Sequence, residues 1–327
     1  MLRQSRPKLR ERAAFAAIVL SALTSAHAQE YPSRPVRIIV PSVAGGGTDS
    51  STRIVVSKLG DTLGQRIVVD NRPGAGSIIG TEMVARAAPD GYTLLAAISS
   101  MTIQPSMQKN LPFDPVKDFA PVSVFVRLPN VLVGHPSLQP KNVRELITFA
   151  KARPGKLEFA SAGTGSNLHL CMEMFLSMAG LKMVHVPYKG ASQAIADLVA
   201  GYVPFMVTNM ISGTEQVKAG KLRAYGVTSA KRSAAAPEIP TIAEQGVPGY
   251  EAVQWYGLMA PAATPREIVS KLHRAVVAAL NDGAVRERFT SSGADPVGNS
   301  PEEFAQLVRS EVAKWAKVVK AAGLKPE

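Results

Sequence analysis

Short apolar runs alternate with helical segments along most of the chain, and this alternation limits the folds open to it. Helical patterns fill the gaps between the runs, an order typical of βαβ units and a parallel-rich sheet. We therefore predict an α/β protein. The runs that predict strands are VRIIV (36–40), RIVVD (66–70), TLLAAIS (93–99), VSVFVRLPNVLVG (122–134), LEFASAG (157–163), VPFMVTN (203–209), LRAYGVTS (222–229) and YEAVQWYGLMAP (250–261).

Two helices near the C-terminus begin with clear signals. In TPRE, Thr264 is predicted to be the N-cap and Pro265 the first helical residue, and in SPEE, Ser300 and Glu303 are predicted to form a capping box. Apolar residues follow both signals at the spacing that buries one face of a helix.

The first 28 residues have the order of an export signal. A basic stretch, MLRQSRPKLRER, precedes the apolar AAFAAIVLSALTS, and small residues at Ala26 and Ala28 end the segment. The apolar run is shorter than the roughly 20 residues of a membrane span, so an anchoring helix is the weaker alternative. We predict a signal peptide over residues 1–28, cleaved after Ala28, and a periplasmic protein.

Composition excludes several classes of protein. The 327 residues are 46% hydrophobic, enough for one large domain or two ordinary ones. The single Cys171 rules out an internal disulfide, and no cysteine pair has metal-ligand spacing, so a structural zinc is not expected. No other metal and no cofactor is expected. The net charge is +12, of which the leader carries +4, and the remaining +8 is scattered without a basic cluster. Nucleic acid is therefore a poor candidate partner.

A glycine-rich loop, PSVAGGGTDS, separates the first predicted strand from a helix. Glycines at this place let a ligand approach the backbone N–H groups at a helix N-terminus, where the dipole favours an anion. Asp49 lies in this loop and would repel an anion, so we expect its carboxylate to cap the helix that it begins.

A second loop of similar construction, SAGTGSNLH (161–169), also joins a strand to a helix. Neither loop has the lysine of a Walker motif, which favours a carboxylate over a triphosphate. If the loops belong to two α/β lobes that face each other, the anion lies in a cleft between domains.

Two enzymatic interpretations remain as alternatives. NRPGAGSIIG places Gly74, Gly76 and Gly80 close to a dinucleotide-binding pattern, but the last glycine is one position late, so a structural loop is the preferred interpretation. Ser166 and His169 lie three residues apart, yet the G-x-S-x-G motif of a nucleophile elbow is missing. We expect His169 to be a helix histidine bonded to a backbone carbonyl.

Motifs along the whole chain resemble one family. YPSRPVRIIVP, AGGGTD, NRPGAG, APDGYTLL, FDPVKDFAPVS, HVPYKG, AGKLRA, VTSAKRS and GYEAVQWYGLMAP together resemble the extracytoplasmic solute-binding receptors of the tripartite tricarboxylate transporter family, or Bug proteins. The resemblance runs from about residue 30 to the C-terminus.

The resemblance implies a two-lobed periplasmic binding protein fold of type II-like architecture. Each lobe would be a mixed sheet flanked by helices, two crossing hinge strands would join the lobes, and hinge closure would trap the ligand. The expected boundaries are 29–129 and 254–327 for the first lobe and 130–253 for the second.

The family's ligand-binding positions can be carried over to this sequence. Thr208 and Pro204 occupy places where the family commonly has Asp, which makes an amino-acid ligand less attractive than a plain carboxylic acid. The resemblance implies these ligand-binding residues: Ala44, Gly45, Gly46, Gly47, Thr48, Asp49, Ser99, Ser100, Ser161, Ala162, Gly163, Thr164, Gly165, Ser166, Asn167, His169, Tyr188, Thr208 and Asn209.

The expected function is capture of a small carboxylate and its delivery to the membrane permease subunits of a tripartite tricarboxylate-type transporter, by a monomer that is not an enzyme. One alternative is a ligand sensor that acts with a membrane signalling partner. The other alternative is a serine hydrolase, whose turnover would require Ser166.

Overall fold

Two open sheets flanked by helices organise residues 31–326, the part of the chain that the computed structural model describes. The predicted signal peptide and its cleavage site lie outside these residues. The strands, in chain order, are β1 (Val36–Val40), β2 (Ile67–Asn71), β3 (Thr93–Ile98), β4 (Phe119–Leu128), β5 (Asn130–Gly134), β6 (Glu158–Ser161), β7 (Val184–Pro187), β8 (Phe205–Asn209), β9 (Arg223–Val227), β10 (Gln254–Pro261) and β11 (Asp295–Pro296).

Helices occupy most of the segments between the strands. They are α1 (Gly47–Leu63), α2 (Ile78–Ala85), α3 (Gln104–Met107), α4 (Val143–Lys151), α5 (Asn167–Ala179), α6 (Ala191–Val199), α7 (Met210–Lys218), α8 (Arg266–Asn281), α9 (Gly283–Ser291) and α10 (Pro301–Ala321). None of these helices, all within residues 31–326, is long and apolar enough to span a bilayer.

Both sheets combine parallel and antiparallel pairs, so the predicted mixed sheets are confirmed. The first has the order β11-β4-β10-β3-β1-β2, and β1 runs parallel to β2 and β3 while β10 runs antiparallel to β3 and β4. The second has the order β7-β6-β8-β5-β9, with β6 parallel to β7 and β8, and β5 antiparallel to β8 and β9.

The chain crosses between the sheets at two places. The long apolar run 122–134 is two strands rather than one, because Pro129 separates β4 in the first sheet from β5 in the second. A proline has no N–H group to continue a ladder, which is consistent with a break at this position. The chain returns to the first sheet after β9. A hydrogen bond from Ala252 N to Thr228 O attaches this returning segment to the residue that follows β9.

The two predicted helix starts have different outcomes. At α10, Ser300 and Glu303 form the capping box. At α8 the prediction is wrong, because Pro265 rather than Thr264 is the N-cap and the helix begins at Arg266. The Thr264 side chain is buried and its hydroxyl has no partner among the described residues.

The last helix packs against the cores of both sheets. Phe304 in its first half contacts Trp255 of β10, with ring centroids 5.1 Å apart, whereas Trp315 in its second half belongs to the same core cluster as Phe175 of α5. A helix of 21 residues is about 31 Å long, enough to reach both. The amphipathic pattern of α10 predicted a buried face but not two separate cores beneath it.

Candidate functional site

Loops that follow the parallel strands of the two sheets lie across from each other. The carboxyl ends of parallel strands share one edge of a sheet, and in open α/β sheets ligands bind outside that edge. Residues after β2 and β3 line a cavity together with residues after β6, and the first residue of α1 lines a second cavity together with the end of β8. Both cavities therefore lie between the two sheets.

The larger cavity has a volume of about 430 Å³. This lies within the range of small-molecule sites. The segments that follow β2 and β3 contribute Ala75, Gly76, Ser77, Ile78, Ser100, Ile103, Gln104, Met107 and Gln108. The segment that follows β6 contributes Ala162, Gly163, Thr164, Gly165, Ser166 and Asn167.

The smaller cavity, of about 270 Å³, lies at the crossing between the sheets. Gly47 of α1, Asn209 at the end of β8 and Tyr256 of β10 line it, together with Asn130 at the start of β5. Asn130 Nδ2 donates to Asn167 Oδ1 at 3.3 Å, and Asn167 lines the larger cavity. The two cavities therefore adjoin at this pair of asparagines.

The predicted site residues divide into two sets in this structure. Those that line one of the two cavities are Gly47, Ser100, Ala162, Gly163, Thr164, Gly165, Ser166, Asn167 and Asn209. Those that line neither are Ala44, Gly45, Gly46, Thr48, Asp49, Ser99, Ser161, His169, Tyr188 and Thr208. The two glycine-rich loops do not meet in a single cavity here.

Backbone donors are available at the start of α1. The N-cap is Gly46, and no side chain caps the first turn of this helix. Uncapped N–H groups at a helix N-terminus attract an anion, and the helix dipole adds to the attraction. Gly45 has a φ of 78°, a conformation that favours glycine, whereas Gly46 has an ordinary φ of −70°.

Asp49 does not cap α1 but fixes the loop before it. Its carboxylate accepts hydrogen bonds from Gly45 N at 2.8 Å, from Arg53 Nε at 3.0 Å and from Asn71 Nδ2 at 3.0 Å. Burial raises the pKa of Asp49, but the hydrogen bonds from Arg53, Gly45 and Asn71 outweigh burial and lower it below its usual value. Arg53 also balances the negative charge that would repel an anion.

The second loop caps its own helix. Ser166 is the N-cap of α5, and its side chain accepts from His169 N. Gly163 and Gly165 have φ values of 127° and 74°. A Cβ on Gly165 would lie 2.8 Å from Met107 Cε. Helix α3, which follows β3 of the first sheet, therefore approaches this loop closely.

His169 and Ser161, the last and first residues of the second loop, are both buried. The His169 side chain is 1% exposed, and its Nδ1 accepts from Gly165 N at 3.1 Å while Nε2 faces Glu173. The predicted bond to a backbone carbonyl is therefore wrong, since the partner is a backbone N–H. His185 Nε2 lies 2.6 Å from Ser161 Oγ, and Ser161 is also buried.

The arrangement does not form a serine–histidine dyad at Ser166. The Ser166 hydroxyl bonds the backbone of His169, while both imidazole nitrogens of His169 face other groups, namely Gly165 N and Glu173. A nucleophile needs the base within hydrogen-bond reach of its hydroxyl. The geometry therefore gives the hydrolase interpretation no support.

Three positions taken from the family resemblance have structural surroundings here. Tyr188 Oη donates to Asp197 at 2.8 Å. The Cγ2 atom of Thr208 lies 3.0 Å from where a Cβ on Gly213 of α7 would be, so this side chain packs between β8 and α7. Pro204 precedes β8, at the opposite end of the strand from the cavities.

Sequence reasoning missed the loop 75–78, which it interpreted as structural. Ala75, Gly76 and Ser77 have successive positive φ values of 46°, 62° and 82°, unusual for Ala and Ser. Such strain is common at ligand sites. The position of this loop after a parallel strand could have indicated the site. Gly80, in contrast, is a packing residue, because a Cβ there would lie 2.7 Å from Arg72 O.

Comparison with known proteins supplies the family. The model of the tripartite tricarboxylate transporter family receptor, TctC, matches residues 52–324. Protein BugT of Bordetella pertussis is 40% identical over 300 residues, which cover 91% of this chain and 92% of BugT.

Solved structures show the same fold. The structure of R. palustris Rpa4515 with adipate is 37% identical, with a TM-score of 0.76, over 91% of this chain and 100% of that one. MatC from Rhodopseudomonas palustris with bound malate is 33% identical, with a TM-score of 0.72, over 88% of this chain and 100% of that one. The fold is thus the two-lobed α/β fold of periplasmic binding proteins, and the chain belongs to the tripartite tricarboxylate transporter receptor family.

Proposed function

We propose that the protein is a periplasmic receptor that captures a small carboxylate between two lobes and delivers it to the permease of a tripartite tricarboxylate-type transporter. One observation carries the proposal: the loops 75–78 and 162–167, which follow strands of different sheets, face each other across a cavity of about 430 Å³. Two relatives have adipate and malate bound, which supports a carboxylate as the ligand.

The lobes comprise residues 29–129 with 254–327, and residues 130–253. Sheet membership supports this division, since β4 and β5 meet at Pro129 and β10 begins at Gln254. The proposed hinge lies at these crossings, beside the smaller cavity. Closure about it would bring the AGGGTD loop, of which only Gly47 lines a cavity in the present arrangement, closer to the loop 161–169.

Hydrogen bonds alone can supply the affinity. Three or four charge-assisted bonds contribute about 1.5–3 kcal/mol each, and a helix N-terminus adds about 0.3–2 kcal/mol. Micromolar binding needs about 8 kcal/mol. The uncapped first turn of α1 and the amide of Asn167, whose Nδ2 has no partner among the described residues, are donors of this kind.

A thermal-shift screen of carboxylic acids tests the proposal, followed by isothermal titration of the best acid and its methyl ester. The acid is expected to bind more tightly, because the ester lacks the charge that the N–H groups meet. Binding of the acid without its chemical conversion would support a receptor over an enzyme. Equal affinity for acid and ester would contradict the proposed carboxylate site.

A variant pair tests the AGGGTD loop. Gly46→Val places a side chain beside the uncapped N–H groups, and the φ of −70° accepts valine, although its Cβ would lie 3.2 Å from Val43 O. The matched control is Gly283→Val, also at a helix start, where no atom lies within 4 Å of the added Cβ. Circular dichroism checks the fold. Undiminished acid binding by folded Gly46→Val would exclude this loop from the site.

The transporter partner is open to a separate test. The family description names a transporter receptor, whereas a sensor would use the same ligand site with a signalling protein. Uptake of the identified acid by cells that lack this protein distinguishes the two. Lost uptake, restored by the wild-type protein, is expected for a receptor, and unchanged uptake favours a sensor.

A further inference from the structure

Gln104 has a buried acceptor without a partner in the wall of the larger cavity. The residue is 8% exposed, and its Nε2 donates to Gly76 O at 2.6 Å. That bond uses one N–H of the amide and fixes its orientation, and the acceptor Oε1 has no partner among the described residues. An unpaired buried acceptor is costly, and a native structure that keeps one calls for an explanation.

The loop that holds Gln104 in place is itself unusual. Gly76 has a φ of 62°, between two non-glycine residues that also have positive φ. A strained turn that presents a carbonyl to Gln104 favours one orientation of this amide before any ligand binds. Preorganisation of this kind is expected of a group that recognises a ligand by hydrogen bonding.

Charged groups are missing from the walls of both cavities. Among the described residues, the side chains that line them include no Lys, Arg, His, Asp or Glu. A second carboxylate or an ammonium group on the ligand would therefore have no ion partner in either wall and would depend on hydrogen bonds alone. A carboxylate beside Gln104 Oε1 would bring two hydrogen-bond acceptors together, which favours an uncharged group at this place.

Donor and acceptor groups are both present in the larger cavity. Asn167 Oδ1 accepts from Asn130 Nδ2, which leaves Asn167 Nδ2 as a donor without a partner in the described chain. A carboxylate only accepts hydrogen bonds, so it suits Asn167 Nδ2 and the backbone N–H groups but not Gln104 Oε1. Gln104 requires a ligand group that donates.

We infer that Gln104 is a specificity-determining residue that selects a carboxylate carrying an uncharged hydrogen-bond donor, such as a hydroxyl or a carboxamide. The inference rests on the proposed function and narrows its ligand class. The second carboxylate of a diacid brings an acceptor to Gln104 Oε1. Monoacids with an apolar end leave the Gln104 acceptor unpaired.

Isothermal titration with matched ligand series tests the inference. Each aliphatic series compares a monoamide (succinamate, glutaramate or adipamate) with the matching diacid (succinate, glutarate or adipate) and with the monoacid that ends in a methyl group. An aromatic series compares 4-carbamoylbenzoate with terephthalate and with 4-methylbenzoate. In the series that fits the cavity, the monoamide is expected to bind about 10- to 100-fold more tightly than the diacid or the methyl compound.

Two variants separate a ligand contact from a structural role. Gln104→Met removes the acceptor at similar volume and is expected to abolish the preference for the monoamide. Gln193→Met makes the same change at an exposed position of α6 that lines neither cavity, and it is expected to preserve the preference. A purely structural role of Gln104 would weaken all ligands of a series equally, and thermal unfolding of each variant reports the stability of the fold.

The outcomes separate this inference from the proposed function. If acids bind but a diacid binds as tightly as its monoamide, or if Gln104→Met keeps the wild-type preference, the role of Gln104 is wrong and the carboxylate receptor stands. If no carboxylate of any series and none in the thermal-shift screen binds, the proposed function fails, and the role of Gln104 fails with it.

Discussion

The imidazole rings of His169 and His185 are stacked, with centroids 3.7 Å apart and planes inclined by 14°. Phe159 continues the stack, with its ring 5.0 Å from that of His185. Each histidine holds part of the second loop, His169 through Gly165 N and His185 through Ser161 Oγ. The stack therefore stabilises the conformation of residues 161–167 through these two hydrogen bonds.

The stack makes stability depend on pH. Burial, with a smaller contribution from the neighbouring His169, lowers the pKa of His185 from 6.5 to about 4. Between these values the unfolded chain binds a proton at His185 that the folded protein does not. The free energy of unfolding should therefore fall as pH drops from 6.5 to 4, by at most about 3 kcal/mol from this group, because solvent screening of the partly exposed ring reduces the effect. Urea unfolding at pH 7 and pH 4.5 measures the change.

His185→Gln is the variant for this prediction, because it removes the titrating group and keeps a polar side chain beside Ser161. Its unfolding free energy is expected to change less between the two pH values than that of the wild type. His135→Gln is the control, since His135 bonds Ser137 outside the stack. Identical pH dependence of His185→Gln and wild type would show that His185 does not contribute.

Asp49 is predicted to stabilise the first loop. In Asp49→Asn, the amide cannot accept all three hydrogen bonds from Gly45, Arg53 and Asn71, and the charge that pairs with Arg53 is lost. A cost of about 1–3 kcal/mol in the free energy of unfolding is expected. Asp61→Asn, at an exposed position on the same helix, is the control and should be nearly neutral. An equally small effect of both changes would contradict the role of Asp49.

Much of the fold is predictable from sequence, because a buried strand is a short run of apolar residues that are neighbours in the chain. The run 36–40 predicts β1 at its observed bounds, and the capping box at Ser300 predicts the start of α10. The short strands β7 and β11 were missed. The four residues of β7 are partly exposed, and β11 has only two residues, so neither has a distinct apolar pattern.

The site is less predictable, because it depends on which loops the two sheets bring together. Gln104 belongs to a short helix with no motif, and its proposed role depends on its bond to Gly76, 28 residues earlier. Tyr256 lies within the apolar run of β10, where an aromatic residue predicts only a buried strand. Long-range contacts of this kind have no local signature in a single sequence.

Processing of the N-terminus gives a prediction independent of the fold. The basic, apolar and small-residue order of residues 1–28 predicts a mature protein that begins at Gln29. Mass spectrometry of a periplasmic extract is expected to give the mass of residues 29–327. An intact Met1 terminus, or protein found in the membrane fraction alone, would contradict cleavage after Ala28.

Gly47 and Tyr256 are predicted to be coupled at the proposed hinge. A Cβ on Gly47 would lie 2.6 Å from Tyr256 Oη, closer than packed atoms allow, and Tyr256 is only 5% exposed, so it has little room to move. Gly47→Ala should therefore cost about 1–3 kcal/mol of unfolding free energy, the usual cost of overpacking. Tyr256→Phe removes the hydroxyl, and in that background Gly47→Ala should cost less. A double-mutant cycle from urea unfolding gives the coupling energy directly.

The control for this cycle is Gly283→Ala, another glycine at a helix start, where no atom lies within 4 Å of the added Cβ. Alanine favours a helix over glycine, so this change should be neutral or stabilising in both backgrounds. The same cost of Gly47→Ala with tyrosine and with phenylalanine at position 256 would show that the hydroxyl is not what requires glycine. A reduced cost would instead explain why α1 begins with a glycine: the Tyr256 hydroxyl occupies the space that a side chain would need, beside the uncapped N–H groups.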